Sequence, residues 1–224
     1  NFFELNKKIG FVYTKTKIFI TDINKGKYVY GLSKTGIYPS TKFINMSLLH
    51  PPLAVPVSPA NALFRTIDLK KNLISNIKNN QHIDFRKYGQ GNDNLIFLLT
   101  LTKYTYFGYI DECLAYFRDH KESLTMATDS LLVTYRYHLA KKYFIDTMND
   151  TKFKRKLISK YNTKLIFLYY AMRLTRRSDN FDFRSLLIKQ KSTQPNILYF
   201  IYIAYLYFDY LVKNKTNKMI SKFG

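Results

Sequence analysis

Gly89-Gln90-Gly91-Asn92-Asp93-Asn94, running into Leu95-Ile96-Phe97-Leu98-Leu99, decides how this chain is read. The two glycines permit a tight turn with positive φ, a backbone region that a Cβ makes costly. Asn92 or Asp93 then caps a helix, because a short side-chain oxygen can accept from the free N–H groups of a first turn. The unbroken apolar run that follows predicts a buried helix. One carboxylate, Asp93, is thereby expected at the lip of a buried element and facing out. A second informative stretch, Tyr116-Phe117-Arg118-Asp119-His120-Lys121-Glu122-Ser123, lies downstream.

Upstream of the glycine turn, Phe11 to Ile20 is rich in aromatic and β-branched residues and predicts a strand. Asn1 to Lys8 reads as the end of a helix, with Gly10 as its C-cap signal. Asn24 to Lys27 forms a turn, and Tyr28-Val29-Tyr30 returns as a short strand. Ser40 to Leu49 fits a short amphipathic helix. Pro51, Pro52, Pro56 and Pro59 punctuate a loop containing the compact run Ser58-Pro59-Ala60-Asn61-Ala62. Asp68 to Ile77 is expected to be helical.

Downstream, Tyr106 to Ile110 predicts a strand, broken by Asp111 and Glu112, with Ala115 to Arg118 extended again. From Met126 onward glycine disappears until the last residue. Leu131, Leu132, Tyr135, Leu139 and Tyr143 fall at helical spacing, as do Leu157, Tyr161, Leu165, Leu168 and Met172. A boundary near Met126 follows, with a mixed α/β domain over 1–126 and a helical extension over 127–224.

The chain has 224 residues, enough to bury a sizeable core, and 46% of them are apolar. Lys and Arg number 36 against 15 Asp and Glu, a formal charge of +21. Such a field attracts nucleic acid, anionic lipid or phosphorylated small molecules without choosing among them. One cysteine, Cys113, excludes an internal disulfide framework and makes a reducing compartment the default. His50, His82 and His138 have no ligand spacing, and no P-loop, dinucleotide fingerprint or Ser/His/Asp set is present. Ile197 to Phe208 is apolar and tyrosine-rich but shorter than the roughly 20 residues of a spanning helix. With Lys213, Lys215, Lys218 and Lys222 behind it, that run fits an anionic membrane face, or the core of a small helical bundle.

Taken together, several short motifs resemble a bacterial family 2 glycosyltransferase. They are Ile9-Gly10-Phe11-Val12-Tyr13-Thr14, Val57 to Arg65, Gly91-Asn92-Asp93, Gly108-Tyr109-Ile110-Asp111-Glu112, and Leu114-Ala115-Tyr116-Phe117-Arg118 with His120, Ser123 and Thr125. The match covers roughly Ile9 to Thr125 and rests on the joint order of these motifs. It implies the acceptor-side half of a GT-A fold: a partial mixed α/β sheet with covering helices. The family's nucleotide-binding half and its Asp-X-Asp motif are expected before Asn1, since this chain contains no Asp-X-Asp. Where the family usually carries an acidic pair, this chain has Asn92-Asp93.

The resemblance implies sugar transfer from a nucleotide-sugar donor to a glycan or lipid-linked acceptor, with inversion. Asp93 would then be the base that takes the proton of the attacking hydroxyl. Arg118 and His120, two apart on an extended segment and so on one side, would contact the departing diphosphate. His120 would also be a candidate ligand for a divalent metal, Mg or Mn, held mainly by residues upstream. Ser58, Ala60, Asn61, Ala62 and Asn92 would wall the donor–acceptor pocket. A cytoplasmic place, peripheral at the inner membrane face, and no nucleic-acid partner are the corresponding expectations. Against each reading stands a plain one. Asp93 is an ordinary N-cap, Arg118 and His120 are a solvated basic loop, and Ser58 to Ala62 is a tight proline loop. The alternative function is a basic nucleic-acid-binding module, its tyrosines and phenylalanines stacking on single strands.

Overall fold

The computed structural model describes residues 3–50, 54–77, 79, 83–88, 90–120, 130–174, 183–189, 197, 199–202, 204–205 and 208. The chain is mixed α/β, with five strands and six α-helices among those residues. Two compact units divide it: residues 1–48 with 53–149, and residues 49–52 with 150–224. The division thus falls after Asn149, and the helix Ser130–Thr147 belongs to the first unit.

The first unit is organised on strand β1 (Ile9–Phe19), as its aromatic and β-branched content predicts. On one side β1 pairs in parallel with the long β5 (Tyr106–Arg118), from Ile9↔Tyr106 to Phe19↔Arg118, across three register shifts. On its other side lie two short antiparallel strands. β4 (Ala62–Phe64) pairs with Phe11 to Tyr13, and β2 (Lys27–Val29) pairs with Thr16 to Ile18. β3 (Gly36–Pro39) closes the far side of β5 at Tyr106 to Tyr109.

One face of this sheet is an aromatic core. Phe11 is fully buried and touches Phe43 of α1 (Ser40–Leu49) at 5.0 Å and Phe97 of α4 (Asn92–Lys103) at 4.9 Å. Phe64 and Phe107 complete its surroundings, at 5.3 and 5.8 Å between ring centroids. The short α2 (Thr66–Asn72) is tied to α4 by Lys103 Nζ and Tyr104 OH, which donate to the buried Asp68 carboxylate at 2.9 and 2.7 Å. α3 (Phe85–Tyr88) precedes the glycine turn, and α5 (Ser130–Thr147) packs beside α4.

The second unit holds α6 (Lys152–Leu174) and a 3-10 turn, Phe183–Leu186. Asn162 clasps the chain after that turn. Its Nδ2 donates to Ile188 O at 2.9 Å, and its Oδ1 accepts from Ile188 N–H at 3.0 Å. Lys164 Nζ donates to His50 O at 2.8 Å.

Several sequence expectations are corrected here. Residues 3–8 form turns instead of a helix end, through Asn6 N–H to Phe3 O and Ile9 N–H to Asn6 O. Leu5 is exposed, so no apolar face drives a helix there. Gly10 is a strand residue and not a C-cap. A Cβ on it would come 2.9 Å from Thr100 Cγ2, so its smallness lets α4 approach the sheet. α2 stops at Asn72 instead of Ile77, where Ser75 and Asn76 favour local turns over helix. Asp111 and Glu112 do not interrupt β5. Asp111 accepts from Lys15 Nζ and Tyr109 OH, each at 2.7 Å, and its N–H donates to Thr35 Oγ1, while Glu112 points to solvent.

Candidate functional site

The turn before α4 is built as the sequence predicts at Gly91, which has φ +100° and is the helix N-cap. Gly89 and the stretch 121–129, with Ser123 and Thr125, lie outside the described residues. The cap differs in detail. Asp93 sits in the first turn, and its Oδ1 accepts from Gly91 N–H at 3.1 Å and from its neighbour Asn94 N–H at 2.8 Å. Its Oδ2 accepts from Tyr137 OH, on α5, at 3.2 Å. The carboxylate is therefore held at both oxygens yet remains partly accessible.

Burial disfavours its charge and outweighs the hydrogen bonds it accepts, so the carboxyl is pushed up to about 6. That value leaves Asp93 mostly ionised at neutral pH and close enough to neutrality to take a proton. Tyr137 is raised well above its ordinary range, by burial and then by the charge of Asp93. Tyr30 is pushed up to about 12 by the same two causes. Both phenols stay protonated, and Tyr137 faces the carboxylate as a donor. Tyr30 itself is buried with φ 62°, an unusual conformation for a bulky side chain.

Gly91 brings α5 against this turn. A Cβ there would lie 2.9 Å from Arg136 O and 3.2 Å from Ala140 Cβ. Gln90 Oε1 also accepts from Arg136 Nη1. We therefore expect Gly91→Ala to destabilise the first unit by about 2–3 kcal/mol, combining positive-φ strain with overpacking. A lowered urea midpoint with unchanged slope checks this.

Next to Tyr30, Gly31 lies 3.7 Å from Lys15 Cε and 3.7 Å from Tyr109 OH, the distances measured to where its Cβ would stand. Lys15 and Tyr109 both bind Asp111, and those bonds hold its carboxyl below the usual carboxylate range. Asp93 and Asp111 thus stand in opposite electrostatic settings, one raised and one lowered. Lys141, one turn beyond Tyr137 on α5, is pushed down to about 8 by burial. The sequence reading singled out none of Tyr30, Tyr137 or Lys141. Tyr137 falls between the stripe residues Tyr135 and Leu139, and nothing local marks its reach to a turn 44 residues away.

Among the described residues Asp93 is bonded to Gly91, Asn94 and Tyr137, and to neither Arg118 nor His120. Arg118 ends β5, in register with Phe19, and Asp119 N–H donates to Phe19 O at 2.7 Å. Phe19 is four residues beyond Lys15 on β1, so Arg118 stands about 13 Å further along the sheet than the Lys15–Gly31 level. Both Arg118 and His120 are exposed. Among the described residues no three His, Cys, Asp or Glu side chains stand close enough to hold a metal ion. His120 therefore does not form a metal site with other described groups.

Of the expected pocket wall, Ser58 caps the 3-10 turn Pro59–Asn61, accepting from Ala60 N–H at 3.4 Å. Asn61 turns inward, donating to Thr14 O at 3.1 Å and Thr16 Oγ1 at 2.9 Å, while its buried Oδ1 has no partner among the described residues. Ala62 pairs with Tyr13 in the sheet. Asn92 is buried and donates to Phe85 O at 3.2 Å, and its Oδ1 is likewise without a partner among the described residues. The turn packs beside α4 and β1, so these residues share the neighbourhood of the α4 helix.

Compared with family models, with curated proteins and with solved structures, the chain matches none of them.

Proposed function

We propose that this chain is the acceptor-side part of a nucleotide-sugar glycosyltransferase in which Asp93 is the catalytic base. The observation that carries the reading is the state of Asp93. A carboxylate at the N-terminus of a buried helix, fixed by two backbone N–H groups and one phenol, has its pKa raised to about 6 and keeps access to solvent. Those are the requirements for accepting a proton from a hydroxyl as it attacks an anomeric carbon. The order of the sequence motifs supports sugar transfer over other base-dependent reactions. Arg118 and His120 enter the proposal as exposed groups at the end of the same sheet, available to a donor diphosphate but not in contact with the base. No step is assigned to a metal ion, because the described residues do not form a site for one.

The test is a transfer assay with labelled nucleotide-sugars on protein carrying the nucleotide-binding half that the reading requires. Donor-dependent transfer that disappears with Asp93→Asn supports it. Wild-type turnover in that variant removes Asp93 from the mechanism.

Tyr137 is a positioning residue in this scheme. Its hydroxyl favours the ionised carboxylate, so Tyr137→Phe is expected to raise the Asp93 pKa further, by about one unit. The acid limb of the rate profile should move up by the same amount, with near-normal rates well above it. A uniform loss at every pH would mean that the phenol only supports packing.

A further inference from the structure

In the second unit, Ile197, Ile201, Tyr205 and Phe208 occupy helical positions and are 74, 60, 66 and 68% exposed. Their spacing of four, four and three residues puts them on one face of a helix. The other side of the same segment is occupied. Tyr199 is buried, its hydroxyl donates to Leu49 O at 3.4 Å, and Lys160 Nζ lies 5.4 Å from its ring centroid. Phe200 meets Phe167 edge-on at 5.5 Å. Four large apolar side chains in a contiguous outward row are more than the scattered surface residues of an ordinary protein, and mark a contact surface.

The charge around that row identifies what it contacts. Residues 150–224 carry sixteen Lys and Arg against four Asp and no Glu, a net of +12. Lys213, Lys215, Lys218 and Lys222 follow directly in the sequence. A second copy of the chain would set +21 against +21, which opposes self-association through this face. An anionic bilayer offers both what the apolar row lacks and what the lysines attract. Tyrosine suits the wet boundary of such a surface. Among the described residues no helix is long and apolar enough to cross a membrane, so the segment would lie in the interface plane.

We propose that the exposed Ile197–Phe208 face docks this chain onto an anionic membrane surface. The proposal is independent of the sugar-transfer reading and stands or falls separately.

The chain contains no tryptophan, so Phe208→Trp supplies a single fluorescent reporter. It is mixed with phosphatidylglycerol–phosphatidylcholine vesicles or with phosphatidylcholine alone, and binding is followed by emission blue shift and co-sedimentation. Binding is expected only to the anionic vesicles and is expected to weaken as salt is added. Ile201→Asp should reduce it by roughly tenfold or more with unchanged circular dichroism, since the residue is exposed. Reversing Lys213, Lys215, Lys218 and Lys222 to Glu should reduce it comparably without touching the apolar row. Equal partition into both vesicle types would overturn the proposal. So would binding that ignores both sets of changes, or a dimer in sedimentation velocity that Ile201→Asp dissolves in the absence of vesicle binding.

Discussion

Asp93→Asn is expected to lower sugar transfer by roughly 10²–10⁴-fold, the usual contribution of a positioned general base. Donor affinity should be nearly unchanged, because in the proposed reaction the carboxylate would act on the acceptor proton. The geometry makes this a clean substitution. An amide oxygen can accept from Gly91 and Asn94 N–H as Oδ1 does now, and the amide nitrogen can face the Tyr137 oxygen. Stability should move in the opposite direction. The folded carboxyl binds its proton more tightly than the unfolded one, with a pKa raised from 3.8 to about 6. The stability it contributes is complete below about pH 4 and is lost as pH rises through about 6. At pH 7 the wild type holds a desolvated charge that the amide avoids, so the variant should be more stable by about 2 kcal/mol. Equilibrium denaturation at pH 4.5 and pH 7.5, with the advantage of Asn confined to the higher pH, checks the linkage. Turnover measured beside it separates a lost base from a lost fold.

Phe11→Ala should cost about 3–5 kcal/mol, enough to unfold much of a marginally stable first unit. Phe11 sits at the meeting point of three elements, with ring centroids of Phe43, Phe97 and Phe64 at 5.0, 4.9 and 5.3 Å. Two of those pairs are edge-on, a geometry that adds to simple burial. Removing the ring leaves a void between β1, α1 and α4 that no single neighbour can fill. A urea midpoint lowered by this amount, with the slope retained, is the expected readout. A loss below 1 kcal/mol would mean that the aromatic face is not the organising core of the unit.

The turn-and-helix at Gly91 to Leu99 and the strand β1 were legible because their signals are local. A glycine that needs positive φ and an apolar run lie within ten residues of one another, although the N-cap is Gly91 itself and not Asn92 or Asp93. β3 and β4 were not legible as strands, since runs as short as Gly36–Pro39 and Ala62–Phe64 have no periodicity of their own and exist through their neighbours. The acidic pair in β5 misled for the same reason. Asp111 is acceptable inside a strand only because Lys15, Tyr109 and Thr35 arrive from elsewhere in the chain or the strand to satisfy it. At the candidate site the position of Asp93 in the first turn of α4 was legible and its partner was not. Tyr137 reaches Asp93 from a helix distant in sequence, and no spacing rule announces such a meeting. Arg118 was correctly expected in extended chain, as the last residue of β5, whereas His120 lies beyond that strand.

The parallel pairing of β1 with β5 also sets a timetable for synthesis. Ile9 leaves the ribosome about 97 residues before Tyr106, its partner. At roughly 5–20 residues per second that interval is on the order of 5–20 s, long compared with hairpin formation. During it β1 has only the short β2 and β4 to pair with, and the edge destined for β5 is open to other chains. Aggregation of nascent or refolding protein should therefore begin at Phe11 to Ile18, and conditions that shelter that segment should raise the yield of soluble material.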